Sequence, residues 1–167
     1  MSKVYVGTHK KYNNASLGGG WLDLTDYSDK KEFIQACLDL HEDEEDPELM
    51  FQTWEDIPAN FIGESHIDEK VWEWLELSEE DRETVAIYQE DVDFNAPIEE
   101  ALECYDGEFE SEEDWAMDFW DQTGMLSQIP EHAQSYIDYE KFARDARLGG
   151  DMTFVRKGHK VRAFRKH

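Results

Sequence analysis

Positive charge is what this chain has least of. Its 167 residues hold 16 lysines and arginines against 41 aspartates and glutamates, a formal net charge of −25. That imbalance excludes nucleic acid and anionic membranes as natural partners, because both are themselves negative. Cysteine is nearly absent. Cys37 and Cys104 make no disulfide framework, and each falls in a helical pattern where a buried free thiol is expected, as suits a reducing cytoplasm. Long apolar runs are missing too. No stretch reaches transmembrane length, and the opening MSKVYVGTHKKYNN lacks the apolar segment of a signal peptide, so a cytoplasmic, non-membrane protein is expected.

Catalytic and cofactor patterns are equally scarce. The six histidines (His9, His41, His66, His132, His159, His167) show no HExxH or zinc-ligand spacing. DEEDPE lacks the central glycine and spacing of a calcium loop. Ser16, Ser65 and Ser127 have no GxSxG context, and the triple glycine 18–20 precedes a strand pattern without a following Lys-Ser/Thr, so it is no phosphate loop. The expectation is a protein that is not an enzyme and uses no cofactor or metal.

What is present is apolar and aromatic content. Hydrophobic residues make up 40% and aromatics 13% of the chain, too much for the disorder that usually accompanies such acidity. The pattern divides into an N-terminal segment of mixed sheet and helix (1–61), a helical middle (62–103) and an α+β C-terminal segment (104–167), giving an α+β fold class. Their balances differ: −8 for 1–61, −13 for 62–103, −10 for 104–155 and +6 for 156–167, which holds no acid.

Within these segments KVYVG (3–7), GWLDL (20–24) and LMFQTW (49–54) read as strands, and 13–20 as a loop. Ser28 is the expected cap of a helix over DKKEFIQACLDL. Helices are expected over 68–77, 78–90 (with Ser78 and Asp81 in a capping arrangement), 97–105 behind Pro97, and 111–122 between Ser111 and Gly124. One or two further helices occupy 130–150. A hairpin then turns at Lys157–Gly158–His159. The six tryptophans (Trp21, Trp54, Trp72, Trp74, Trp115, Trp120) are expected in the core.

The acids are organised as well as numerous. Glu42, Asp43, Glu44, Glu45 and Asp46 are consecutive. Glu69, Glu73 and Glu76 share one helical stripe, opposite Val71, Trp72, Trp74 and Leu75. Glu79, Glu83 and Glu90 align on the next helix, and Glu99 with Glu103 on the third. Asp114, Asp118 and Asp121 repeat the spacing, joined in the same segment by Glu112 and Glu113. Like charges at i, i+4 cost a helix about 0.2–0.5 kcal/mol per pair, so stripes without alternating lysine suggest that the negative field itself is used. A net −25 matches the charge on about 42 Å of duplex DNA. Two other readings stay open: an acidic non-catalytic binding module for another basic, DNA-binding protein, and a solvated or halophilic-type acidic surface.

YVGTHKKYNNASLGGGWLDL, HEDEEDPELMFQTWEDIP and DWAMDFWDQTG…HAQSYIDYEKFARDARLGGD together resemble the ArdA-type antirestriction proteins, over nearly the whole length. GGGWLDL and SYIDYEKFARD are the most specific parts. The resemblance implies a DNA mimic, carried by plasmids and conjugative transposons, that occupies the DNA site of Type I restriction–modification enzymes (the methyltransferase core with its specificity subunit). It also implies an elongated, curved homodimer of three small domains, joined through the C-terminal one. The family's antirestriction motif falls near GMLSQIPEHAQSYID (124–138). That stretch is poor in charge and suits a subunit contact through Met125, Leu126, Ile129, Tyr136 and Ile137. The basic stretch 156–167 has no place in the family pattern. As a hairpin edge it is expected to pair with acids of its own chain or of a second subunit.

Overall fold

A computed structural model describes residues 1–16 and 18–166. Leu17, in the expected loop 13–20, and His167, the last of the basic stretch, lie outside the described residues. Eight α-helices and six strands are present among the described residues, and the strands form two three-stranded antiparallel sheets. The chain folds into two compact units, Met1–Arg82 and the part from Glu83 onward. No helix of the described residues is long and apolar enough to cross a membrane.

The first unit is built on a sheet of order β2-β1-β3: β1 (Lys3–Thr8), β2 (Gly20–Asp23) and β3 (Leu49–Glu55). Thr8 ends β1 and starts α1 (His9–Asn13), its hydroxyl accepting from the Lys11 N–H. α2 (Lys30–Leu40) is capped by Asp29 and not by Ser28. The Asp29 carboxylate accepts from the Glu32 N–H, and the Glu32 carboxylate reaches back to the Ser28 N–H and hydroxyl. The cap thus falls one residue later than expected: Asp29 and Ser28 are equivalent cap types, and Ser28 is instead held by the Glu32 carboxylate. α3 (Lys70–Leu75) is shorter than 68–77, with Asp68 accepting from the Lys70 N–H.

Phe33, fully buried, organises this core: its ring lies 5.6 Å from Tyr27, 6.1 Å from Phe51 and 5.7 Å from Trp72. Trp72 donates its indole N–H to the Leu24 carbonyl at 3.2 Å, and Trp74 donates to the Arg82 carbonyl at 3.0 Å. Trp21 departs from expectation. It is 45% exposed, on the outer side of β2, edge-on to Tyr5 with the Lys3 ammonium over its ring. Strand alternation puts Trp21 on the face opposite Leu22, and that face is only partly covered.

α4 (Glu79–Asp91) begins at the end of the first unit and continues into the second. Ser78 caps it, accepting from the Asp81 N–H at 3.1 Å. α5 (Ile98–Cys104) follows Pro97, and β4 (Tyr105–Phe109) opens a second sheet of order β4-β6-β5 with β5 (Met152–Lys157) and β6 (Lys160–Arg165). α6 (Glu112–Gln122), capped by Ser111, and α8 (Tyr139–Leu148) pack on this sheet; the short α7 (Glu131–Gln134) lies between them in sequence. Trp115, Ala116, Ala143, Met152 and Ala163 form their buried contact, with Phe119, Phe142 and Phe154 around it. Phe164 alternates to the other side of β6, 5.1 Å from the ring of Tyr88. Both faces of β6 are therefore covered, and Val161 to Phe164 are all buried. The hairpin turn uses Gly158 at φ +65°, a conformation that glycine adopts without strain.

Candidate functional site

The acidic run sits in the loop between α2 and β3, and its five members divide into two kinds. Asp43 and Glu44 are tied back to the fold, Glu44 half-buried and Asp43 still exposed. The Lys11 ammonium lies 2.8 Å from an Asp43 oxygen, 3.5 Å from Glu44 and 2.9 Å from His41 Nδ1. Glu44 also accepts from the Thr8 hydroxyl at 2.8 Å. His41 is fully buried, its Nε2 directed at the Val6 carbonyl at 3.1 Å. That pairing makes Nε2 the donor and leaves Nδ1 to accept from the ammonium. One lysine thus fastens the loop to β1 and α1. Its hydrogen bond with Asp43 raises the lysine pKa and lowers that of the carboxyl. His41, Asp43 and Glu44 bring potential ligand atoms within 4.8 Å of one another, a grouping the histidine spacing did not reveal. Lys11 occupies its centre, so a metal ion would have to displace an ammonium. Glu42, Glu45 and Asp46 remain exposed and pair with no lysine or arginine among the described residues.

The helical stripes show the same division. Glu69, Glu73 and Glu76 are all exposed beside the buried Val71, Trp72 and Trp74. Glu69 and Glu76 are the cap residues of α3, both in helical conformation, so the stripe outruns the hydrogen-bonded helix at each end. Glu79 is exposed in the first turn of α4, and Glu99 and Glu103 are exposed on α5. On α6, Glu113, Asp114 and Asp121 are exposed; Asp118 is half-buried and accepts from the Gln122 amide. None of these pairs with a basic side chain among the described residues.

Glu83, Glu90 and Glu112 are different, because each has a cation. Arg147 holds Glu112 at 2.8 Å, Lys157 lies 4.0 Å from Glu90 and 3.2 Å from Asp91, and Arg162 lies 3.2 Å from Glu83. With Asp43 and Glu44, these are five expected surface acids whose charge is matched inside the chain.

The basic stretch supplies most of that matching in the second unit. Arg162 is 5% exposed; besides Glu83 it lies 3.5 Å from Glu108 and donates to the Thr84 hydroxyl. Lys160 reaches Glu108 and Glu110, and Arg165 binds Asp106 at 2.9 Å and the Glu103 carbonyl. β6 is thus a strip of internal counterions. Burying an arginine is costly unless it is paired and hydrogen-bonded; Thr84, Glu83 and Glu108 meet that condition for the two terminal nitrogens of Arg162, while its Nε has no hydrogen-bond partner among the described residues.

The cysteines are buried free thiols, and burial pushes Cys37 up to about 12, far from any reactive thiolate. In the charge-poor segment Gln134 holds the chain by donating to the Leu126 and Ile129 carbonyls, both at 3.1 Å. Met125, Leu126, Ile129 and Ile137 are half-buried, whereas Tyr136 is 87% exposed.

No curated protein matches the chain. A family model does, that of the antirestriction protein ArdA, over residues 4–161. With that span covering nearly the whole chain, the protein belongs to the ArdA family of antirestriction proteins.

Proposed function

We propose that the protein is a non-catalytic DNA mimic, acting in the cytoplasm, that occupies the DNA-binding cleft of a Type I restriction–modification enzyme and so protects incoming DNA on a mobile element. The observation that carries this reading is the division among the acids. Thirteen of the eighteen singled out in the sequence meet no basic partner among the described residues, while most cations of the basic stretch are consumed internally. The negative field of Glu42, Glu45, Asp46, Glu69, Glu73, Glu76, Glu79, Glu99, Glu103, Glu113, Asp114, Asp118 and Asp121 is therefore available to a partner. A solubilising surface would gain stability by mixing lysine into these stripes.

The proposal includes the three-part division at 61/62 and 103/104, and an elongated homodimer joined through 104–167. The bare ring of Tyr136, in a charge-poor segment with Met125, Leu126, Ile129 and Ile137, supports a contact there.

The test is competition. Purified protein is titrated into a Type I methyltransferase holding a labelled duplex, at several salt concentrations. Near-stoichiometric displacement that weakens steeply with salt is expected. Neutralising Glu69, Glu73 and Glu76 together should weaken displacement severely, whereas neutralising one freely exposed acid should change it less than about threefold. Undiminished displacement in molar salt would overturn mimicry.

A further inference from the structure

A small cavity in the second unit lies where α6 meets the sheet, lined by Asp106, Trp115, Asp118, Phe119, Gln122, Thr123 and Arg165. Its volume is about 220 Å³, below the range of about 300–1,000 Å³ usual for small-molecule pockets and on the scale of one inserted side chain. Its hydrogen-bonding character leans toward acceptors. The Gln122 amide donates to both Asp118 oxygens, at 3.0 and 2.8 Å, and the Thr123 hydroxyl donates to the Phe119 carbonyl at 2.7 Å. The Trp115 indole N–H donates to Asp106 at 3.1 Å, and Arg165 is committed to Asp106 and the Glu103 carbonyl. What remains for a visitor is chiefly acceptors, the other lone pairs of Asp118, the Gln122 carbonyl oxygen and the Thr123 oxygen, beside the Arg165 N–H groups not used in its two bonds. Arg165 cancels Asp106, so Asp118 is the uncompensated charge of the cavity. The aromatic side chains of Trp115 and Phe119 form part of its wall, their centroids 5.3 Å apart.

An acceptor-rich, singly negative, aromatic-walled cavity fits a planar cation with many donors. We propose that it takes one arginine side chain from the DNA-binding cleft of the partner enzyme, the guanidinium on Asp118 and its flat face toward the aromatic wall. This rests on the mimicry reading and adds to it a defined anchor among otherwise diffuse contacts. Arginine is favoured over lysine because a compact, strongly hydrated ammonium uses fewer acceptors and stacks less well.

Two measurements test it. In the first, the Trp115 indole N–H resonance is followed while N-acetyl-arginine amide is added to the full chain, with N-acetyl-lysine amide as control. A saturable shift at millimolar arginine, smaller with lysine and lost in Asp118→Asn, is expected. In the second, Asp118→Asn is compared with Asp121→Asn in the DNA-displacement assay. Both remove one charge from α6, but Asp121 does not line the cavity. Asp118→Asn should require about tenfold more protein for half-displacement, and Asp121→Asn less than about threefold more. Equal effects of the two variants would overturn the anchor and leave mimicry standing. If the wild-type chain displaces no DNA, the functional reading and the proposed source of the arginine fall together. An unmoved Trp115 resonance would overturn the cavity's assignment by itself.

Discussion

The two units carry similar formal charge and handle it differently. The first, to Arg82, has 21 acids and 7 bases; the second has 20 acids and 9 bases. In the first unit Lys11, the buried His41 and Thr8 fasten two acids of one loop, and the stripe on α3 is left bare. In the second, six of the nine bases lie in 156–166, and four of them, Lys157, Lys160, Arg162 and Arg165, bind acids of α4, β4 and the turn that follows β4. Net charge is therefore a poor guide to available charge. Glu83 and Glu73 look alike on a helical wheel, yet one neutralises a buried arginine and the other faces solvent alone.

The largest expected effect tests whether the first unit depends on its aromatic core as the contacts imply. Phe33→Ala should cost about 4 kcal/mol in urea denaturation, because a fully buried ring touching Tyr27, Phe51 and Trp72 leaves a cavity that those rings cannot close. A loss below about 1 kcal/mol would mean that this core is loosely packed. Arg162→Met tests the counterion role of β6. A loss of about 2 kcal/mol is expected, below the ~3–5 kcal/mol usual for a broken buried pair because Glu83 and Glu108 are exposed enough to rehydrate. Unchanged stability would show the pairing to be incidental.

Charge reversal gives a smaller effect with a diagnostic sign. Glu73→Lys should stabilise by about 0.5 kcal/mol at low salt, since it places a cation between Glu69 and Glu76. Glu83→Lys should destabilise by about 1 kcal/mol, since it sets a cation against Arg162. The same sign for both would erase the distinction between bare and matched acids.

The smallest effect is a titration. The Asp43 carboxyl, held low by the hydrogen bond from Lys11, should protonate below the usual aspartate range in carbon-detected NMR. A folded pKa below the unfolded value contributes stability that is present above the usual range and lost as pH falls through the lowered one. Lys11→Met should return Asp43 to that range; an unmoved Asp43 would break the link between Lys11 and the loop.

Much of the fold was legible in the sequence because its signals are local. Ser78 and Ser111 cap the helices they precede, Gly158 turns the hairpin, and the period of Val71, Trp72 and Trp74 marks the buried side of α3. The cap of α2 shifted by one residue because two adjacent candidates competed. α1 and β4 were missed. HKKYN carries no apolar period, and YDGEF begins on the residue where the helical pattern of α5 ends, with Gly107 at φ +130° beside a register shift.

By itself the sequence determined how much negative charge there is, which helices present it in stripes, and the family to which the chain belongs. Only the tertiary structure decided which of those carboxylates stay bare. Lys11 meets Asp43 across 32 residues, and Arg162 meets the Thr84 hydroxyl across 78. An ion pair acts over a few ångströms of space whatever the sequence separation, so no local pattern encodes it, and the fold alone sorts the acids into those that hold the chain together and those left for a partner.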